Sequence, residues 1–423
     1  MPQLHFTKIE AEKKEIEKHL KPEKVMIAMV EAFLTFLVRY KYILLFYLAV
    51  GIFLLLKRKS IEVQAKFILL YRRQWGIRLM DWFVSRYRQW VILWGYIGVG
   101  AGYVGLGLIS LLLFKNLYDF FTVPEAVAGV SLVLPGLDVP GVGVLPFWYW
   151  VLALFVIAVV HEFSHGIVAR AHGVTVKNTG LVFLGPIIGA FVEPNEKKLT
   201  KEKDIVQYSI LAAGSFSNIL TAMVAALLLN FVVLGALEGM QQPQGFTFKE
   251  YYGEEYPFSQ AGIAPGTLIR GINGIETFTF EEFNEELQHY RPGDTITVAT
   301  ATSEHTVILA QNPDSPKKPF LGVKYLEPKL ELKDKYHTSS GKLGYGFLSW
   351  IAGFLKWLSI LSLGIGLFNL LPLPIVDGGR MAQVFLHQLK GPIAGEKRYR
   401  QISLFFLALL LLNLLLPWVV GLV

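Results

Sequence analysis

Six long apolar stretches run through this 423-residue chain, and nothing constrains its fold more. A helix needs about 20 apolar residues to cross roughly 30 Å of hydrocarbon. Residues 91–114, 147–168, 206–236, 345–371 and 402–422 each meet that length. A sixth span is read at about 37–56, with 25–36 as a helical lead-in at the interface. The alternative for it is a purely interfacial helix, but Leu44–Leu56 is apolar all round and offers no polar face. Composition agrees: 53 % of residues are hydrophobic, 17 % are charged, and mean hydropathy is +0.45. The expected class is a polytopic α-helical membrane protein.

Charge then sorts the loops. The net charge of +7 does not indicate nucleic acid, because a membrane-spanning chain keeps excess Lys and Arg on its cytoplasmic side. Nucleic acid is therefore not an expected partner, and the lipid bilayer is. Segment 57–90 carries Lys57, Arg72, Arg78, Arg86 and further basic residues against only Glu62 and Asp81, so it is expected to be a cytoplasmic loop. Alternation places 115–146 and 237–344 outside, and 170–205 and 380–400 inside. The localisation this predicts is multi-pass, in the cell membrane. The first 24 residues mix Lys and Glu without an apolar core, so no cleavable signal peptide is expected.

Two segments break the pattern of spans. Leu181–Glu193 is apolar but holds Gly185, Pro186 and Gly189, and it predicts a re-entrant hairpin or strand pair. Such backbone is tolerated at membrane depth only where protein or a water-filled cavity satisfies its polar groups. Over 238–342 hydropathy falls to that of a soluble domain. There Thr295–Ala299 and Thr306–Leu309 read as strands, Phe280–Gln288 as a short helix, and Ile272-Asn273-Gly274-Ile275 as a hairpin turn. Four regions follow: 1–90, with the first span and the basic loop; 91–236, with three spans and the re-entrant element; 237–342, an extracytoplasmic domain; and 343–423, with the last two spans.

The chain has no cysteine, so any metal must be held by His, Asp or Glu. His161-Glu162-Phe163-Ser164-His165 lies near the end of the third span. On a helix the two His project from one face at the spacing of adjacent metal ligands. Glu162 is turned about 100° away, placed to take a proton from a zinc-activated water. Ionisable residues inside a span are functional candidates by default. Two residues are available as a third ligand, Glu193 beyond the hairpin and Asp377. Asp377 has the better context: Asn369-Leu370-Leu371-Pro372-Leu373-Pro374-Ile375-Val376-Asp377-Gly378-Gly379 unwinds a helix end with two prolines, and its glycines permit a tight turn. Charge alternation also puts Asp377 on the membrane side of His165. The alternative for Asp377 is a helix N-cap.

An HExxH box on one span, an N-x-x-P-x-P-x-x-D-G box on a later one, and a PDZ-like insert between them resemble the site-2 protease family of intramembrane zinc metalloproteases. The resemblance covers roughly 147–400. It implies Zn2+ held by His161, His165 and Asp377, Glu162 as general base, and a transmembrane protein as substrate. It also implies that Asn218, in Gly214-Ser215-Phe216-Ser217-Asn218, and Asn369 position substrate, with interhelical hydrogen bonding as the alternative for both. The re-entrant segment resembles the family's β-element, thought to pair with an unwound substrate. The run Ala261–Gly274 resembles bacterial-type PDZ domains, with Thr267 in place of the usual Asp. Phe320-Leu321-Gly322-Val323 looks like a peptide-carboxylate loop, which makes Leu321 and Gly322 candidate ligand residues. A peptide-binding groove and a steric filter both remain open for this domain. Two further functional readings remain: an HExxH protease with a Glu third ligand, and a non-enzymatic scaffold built on the PDZ-like domain.

Overall fold

Six helices long and apolar enough to span a bilayer occur among the described residues: Met29–Ser60, Ile77–Thr122, Phe147–Ala171, Asp204–Met240, Ser339–Phe368 and Pro392–Leu416. They are called the first to sixth spans below. The structure is a computed structural model and describes residues 22–420 apart from 67, 124–129, 131, 132, 140 and 186. It divides into two compact units. One comprises 1–123, 154–217 and 369–423, the other 124–153 and 218–368.

The helical lead-in and first span expected over 25–56 form one continuous helix, Pro22–Lys57. Two other helical features differ from the expectation. The second span begins at Ile77, well before its apolar stretch, and is broken at Tyr87, whose φ of −126° and ψ of 26° are not helical. The expected loop 380–400 is instead helical, as Asp377–Lys390 and the start of Pro392–Val420, separated at Gly391 where φ is +77°. Basic residues lower the hydropathy of these segments, but most of those present are good helix formers, so propensity and packing still favour a helix.

Strands appear in chain order as β1 Ile61–Gln64, β2 Ile68–Arg73, a two-residue pair β3 Asp138–Val139 and β4 Gly143–Val144, β5 Val176–Leu184 and β6 Ile187–Pro194. In the first unit β1, β2, β5 and β6 form one antiparallel sheet in that order. The expected strand pair around 181–193 is therefore present, longer than predicted. Its turn uses Gly185 at φ +56°, while Pro186 lies outside the described residues. The reading of 57–90 as a loop is corrected: β1 and β2 extend this sheet, and Tyr71 of β2 is 3 % exposed.

Small residues let the second and fourth spans approach closely. Gly95, Gly98, Gly102 and Gly105 lie on one buried helix face. A Cβ on Gly98 would meet Phe216 at 3.4 Å, and one on Gly102 would meet Ala212 at 3.3 Å and Met381 at 3.2 Å. Without a hydrophobic driving force between helices in lipid, such small-residue contacts carry the packing. Asn413 of the sixth span donates to the Leu113 carbonyl of the second, 3.2 Å away.

The second unit holds β7 Gln241–Tyr251, β8 Ile269–Ile272, β9 Ile275–Glu276, β10 Thr295–Thr300, β11 Glu304–Ile308, β12 Ala310–Asn312, β13 Ser315–Phe320 and β14 Val323–Leu332. The main sheet runs β11-β10-β8-β7-β14, with β9 paired to β8. Period-2 alternation places Ile296 and Val298 of β10 in a core with Phe246, Phe248, Phe258 and Phe283. The predicted Asn-Gly turn is present, with Asn273 at φ +49° and Gly274 at φ +80°. The predicted helix is Phe280–Leu287, begun by Thr279, whose side chain accepts from Glu282 N. In the same unit Ser362 Oγ of the fifth span donates to the Asn218 carbonyl, 2.8 Å away.

Candidate metal centre

His161 and His165 sit one turn apart on Phe147–Ala171, and their Nε2 atoms approach to 3.1 Å. Asp377 is the first residue of Asp377–Lys390 and brings Oδ2 to 3.1 Å from His161 Nε2 and 3.2 Å from His165 Nε2. These are the His, Asp and Glu residues that converge as a possible metal cluster among the described residues. Oδ2 is buried yet makes no hydrogen bond of acceptable geometry to either ring. Three ligand-type atoms thus stand at the corners of a nearly equilateral triangle. For tetrahedral zinc with bonds of about 2.0–2.1 Å, ligand atoms lie about 3.3 Å apart. The donor set and its spacing fit zinc with three protein ligands and a fourth position left open.

Neighbouring groups support that fit. His165 Nδ1 donates to the Ile210 carbonyl at 2.6 Å, which puts the ring proton on Nδ1 and turns the Nε2 lone pair toward the triangle. A Cβ on Gly214 would lie 2.7 Å from His161 Nε2 and closer still to His165 Nε2. Only glycine leaves that space open. Asp377 is delivered by close backbone approach. Gly378 N–H donates to the Asn369 carbonyl at 2.7 Å, and a Cβ on Gly378 or Gly379 would collide with the Leu370 or Leu373 carbonyl. The N-cap of this helix is Val376 and its cap accepts no side-chain bond, so the capping alternative for Asp377 does not apply.

Peptidase family M50 matches residues 149–414, more than half of the chain and including both boxes.

The chain belongs to peptidase family M50.

The expected resemblance to site-2 proteases is thereby borne out. An uncharacterized protein of Methanocaldococcus jannaschii is 27 % identical over 261 residues, covering 62 % of each chain. A zinc metalloprotease RasP of Shouchella clausii is 25 % identical over 243 residues, covering 47 % of this chain and 57 % of that one. Another RasP, of Oceanobacillus iheyensis, is 41 % identical over 68 residues, 16 % of each. The M50 chain thus spans 62 % and 57 % of the lengths of the first two relatives. Among solved structures, the PDZ domain of an SdrC-like protein from Listeria monocytogenes aligns over 20 % of this chain and 88 % of that one, at 17 % identity and a TM-score of 0.18.

The other predicted site residues are distributed as follows in this M50 chain. Glu162 lies outside the triangle, and its Oε2 accepts from the backbone N–H of Val192 on β6 at 3.0 Å. Glu193 is engaged elsewhere, by Arg72 Nη1 at 2.6 Å and Asn178 Nδ2 at 3.1 Å. Of the two candidates for a third ligand, the structure brings Asp377 to the histidines and not Glu193. Asn369 contributes its carbonyl to the turn that carries Asp377, and Asn218 is fully buried with its carbonyl taken by Ser362. Leu321 and Gly322 belong to the second unit and line a cleft of about 540 Å³ with Phe280, Asn284, Leu287 and Val323. Sequence reasoning missed Gly214 as the residue that keeps the triangle open, and Arg72 as the partner of Glu193. For Gly214 the available signal was an isolated glycine inside an apolar helix.

Proposed function

We propose that this chain is a membrane-embedded zinc metalloprotease that hydrolyses peptide bonds within or near transmembrane segments of membrane-protein substrates. The triangle of His161 Nε2, His165 Nε2 and Asp377 Oδ2 carries the proposal, because it has the donor set and spacing of a catalytic zinc site, and its two histidines lie on a helix apolar and long enough to span a membrane. These three residues hold the metal. Bound there, zinc would polarise a scissile carbonyl and make water nucleophilic near neutral pH.

The chain's own groups supply the rest. Val192 N–H orients Glu162 through Oε2 and leaves Oε1 without a protein partner among the described residues. Glu162 accepts the proton of the attacking water and returns it to the leaving amine, so the carboxylate ends the cycle as it began. β6 is an edge strand of its sheet, and an unwound substrate segment adding to that edge would bring its backbone beside Glu162. Asn369 and Asn218 are assigned to substrate positioning. The cleft at Leu321 and Gly322, lying between Phe280–Leu287 and β14, suits an extended peptide with an apolar terminal side chain.

The four regions proposed are 1–90, 91–236, 237–342 and 343–423. The HExxH box and Asp377 lie toward the cytoplasmic side, the strand pair at Leu181–Glu193 re-enters the membrane, and the PDZ-like region is extracytoplasmic. The test pairs zinc content with cleavage. Purified wild type is expected to hold about one zinc, the count of a site with three protein ligands, and Asp377→Asn to lose it. Co-expressed single-span membrane proteins should be cut by wild type and not by Glu162→Gln. Zinc retained in Asp377→Asn, or cleavage that survives Glu162→Gln, would overturn the reading.

A further inference from the structure

The second span, the HExxH helix and Ser217 of the fourth span line an open cleft of about 600 Å³ within the first unit. One wall is aromatic: Phe83, Tyr87, Trp90 and Trp94 recur at helical spacing, joined by Trp82. The other wall includes Ser164 and Ile167 of the HExxH helix itself. The volume is that of a small-molecule site, and the lining is almost wholly apolar. Part of its wall faces the surroundings, Trp90 being 71 % exposed and Trp82 54 % exposed. The break at Tyr87 lies where the basic segment meets the apolar span, the height at which Trp and Tyr concentrate in membrane proteins.

Charge decides what fits there. Arg88 is occupied by the Ala171 carbonyl at 2.9 Å, and Asp81 by Arg170. Arg78 and Arg86 lie one helical turn to either side of Trp82 and are exposed, with no carboxylate partner among the described residues. Two unneutralised cations beside an apolar slot complement a molecule with a negative head and a hydrocarbon tail. We propose that the cleft is a binding site for an anionic phospholipid, with one acyl chain between the aromatic wall and Ile167 and the phosphate at Arg78 and Arg86. Ser164 adjoins His165 in the chain, so the bound acyl chain packs directly on the helix that carries two of the proposed metal ligands.

The site is read by lipid retention, independently of proteolysis. Full-length protein in detergent is exposed to equimolar phosphatidylglycerol and phosphatidylcholine and examined by native mass spectrometry. Wild type should keep a single lipid and strongly prefer phosphatidylglycerol. R78E/R86E should reduce that preference to parity. Ile167→Trp should fill the slot and lose the retained lipid, and Trp90→Ala, which opens the wall without touching the HExxH helix, should weaken retention several-fold. Equal retention of both lipids by wild type would overturn the proposal, as would undiminished phosphatidylglycerol in both Ile167→Trp and Trp90→Ala. A protein that binds this lipid yet cleaves nothing would contradict the protease reading and leave the lipid site standing.

Discussion

The backbone N–H of Val192 donates to Glu162 Oε2 across 3.0 Å, so the edge strand β6 and the residue beside His161 are directly joined. Val192 pairs in register with Thr179 of β5, and its N–H points away from that partner toward Glu162. In an antiparallel strand the outward amides recur every second residue, which puts those of Ala190 and Ile188 on the same free edge. The proposed general base is thus held by the same row of donors that an added strand would use.

Replacing Ala190 by proline removes one outward amide without removing a bond to β5, a substitution an edge strand can accept. Zinc content should stay at the wild-type level while cleavage of a membrane substrate falls steeply. Unchanged cleavage would show that substrate does not pair with β6.

Glu162→Gln keeps the hydrogen-bonding shape of the side chain but cannot take a proton. Zinc should be retained, and the turnover rate should drop by about 10²–10⁴-fold, the usual contribution of a general base. Elemental analysis and a cleavage assay on the same preparation measure both.

Gly214→Ala places a methyl 2.7 Å from His161 Nε2. Helix propensity alone predicts a gain of about 1 kcal/mol from this change, so a loss of zinc could be assigned to the crowded ligands. The expected outcome is a helical protein that has lost most of its metal, read by circular dichroism and zinc analysis together.

Arg72 reaches Glu193 at 2.6 Å and Glu62 at 2.9 Å, linking the two ends of the four-stranded sheet. The groups are partly exposed, so Arg72→Ala should cost only about 1 kcal/mol. Glu193→Gln should retain zinc, in contrast to Asp377→Asn. Loss of zinc from Glu193→Gln would restore the rival in which a glutamate is the third ligand.

Phe283 is fully buried in the core of the second unit. Phe283→Ala should destabilise that core by about 3–5 kcal/mol and make residues 241–332 sensitive to limited proteolysis, while zinc remains bound. Concurrent loss of zinc would mean that the metal centre depends on the folded insert.

The spans were legible because hydropathy is summed over about 20 residues and tolerates local exceptions. The HExxH pair was legible because its geometry lies within one helical turn. β1 and β2 were not, since each is short and Lys and Arg in the surrounding segment read as a solvated loop. Their partners, β5 and β6, lie far along the chain, and pairing between distant strands leaves no local trace. Helix 377–390 was legible only as the N-cap alternative for Asp377: Arg380, His387 and Lys390 mark it as polar, although its register leaves Met381 fully buried.

What the amino-acid sequence determined by itself was the class of the molecule, six apolar spans with a soluble insert, and the side chains available for chemistry in a chain without cysteine. Of the two carboxylates available as a third ligand, the sequence favoured Asp377 by its context. Only the tertiary structure shows where each one sits, with Glu193 against Arg72 and the Asn369–Gly379 turn folded so that Asp377 meets His161 and His165. Helical periodicity sets which face a residue occupies along its own helix. It does not set which residues from distant segments share that space, and the close backbone contacts at Gly214, Gly378 and Gly379 settle that question here.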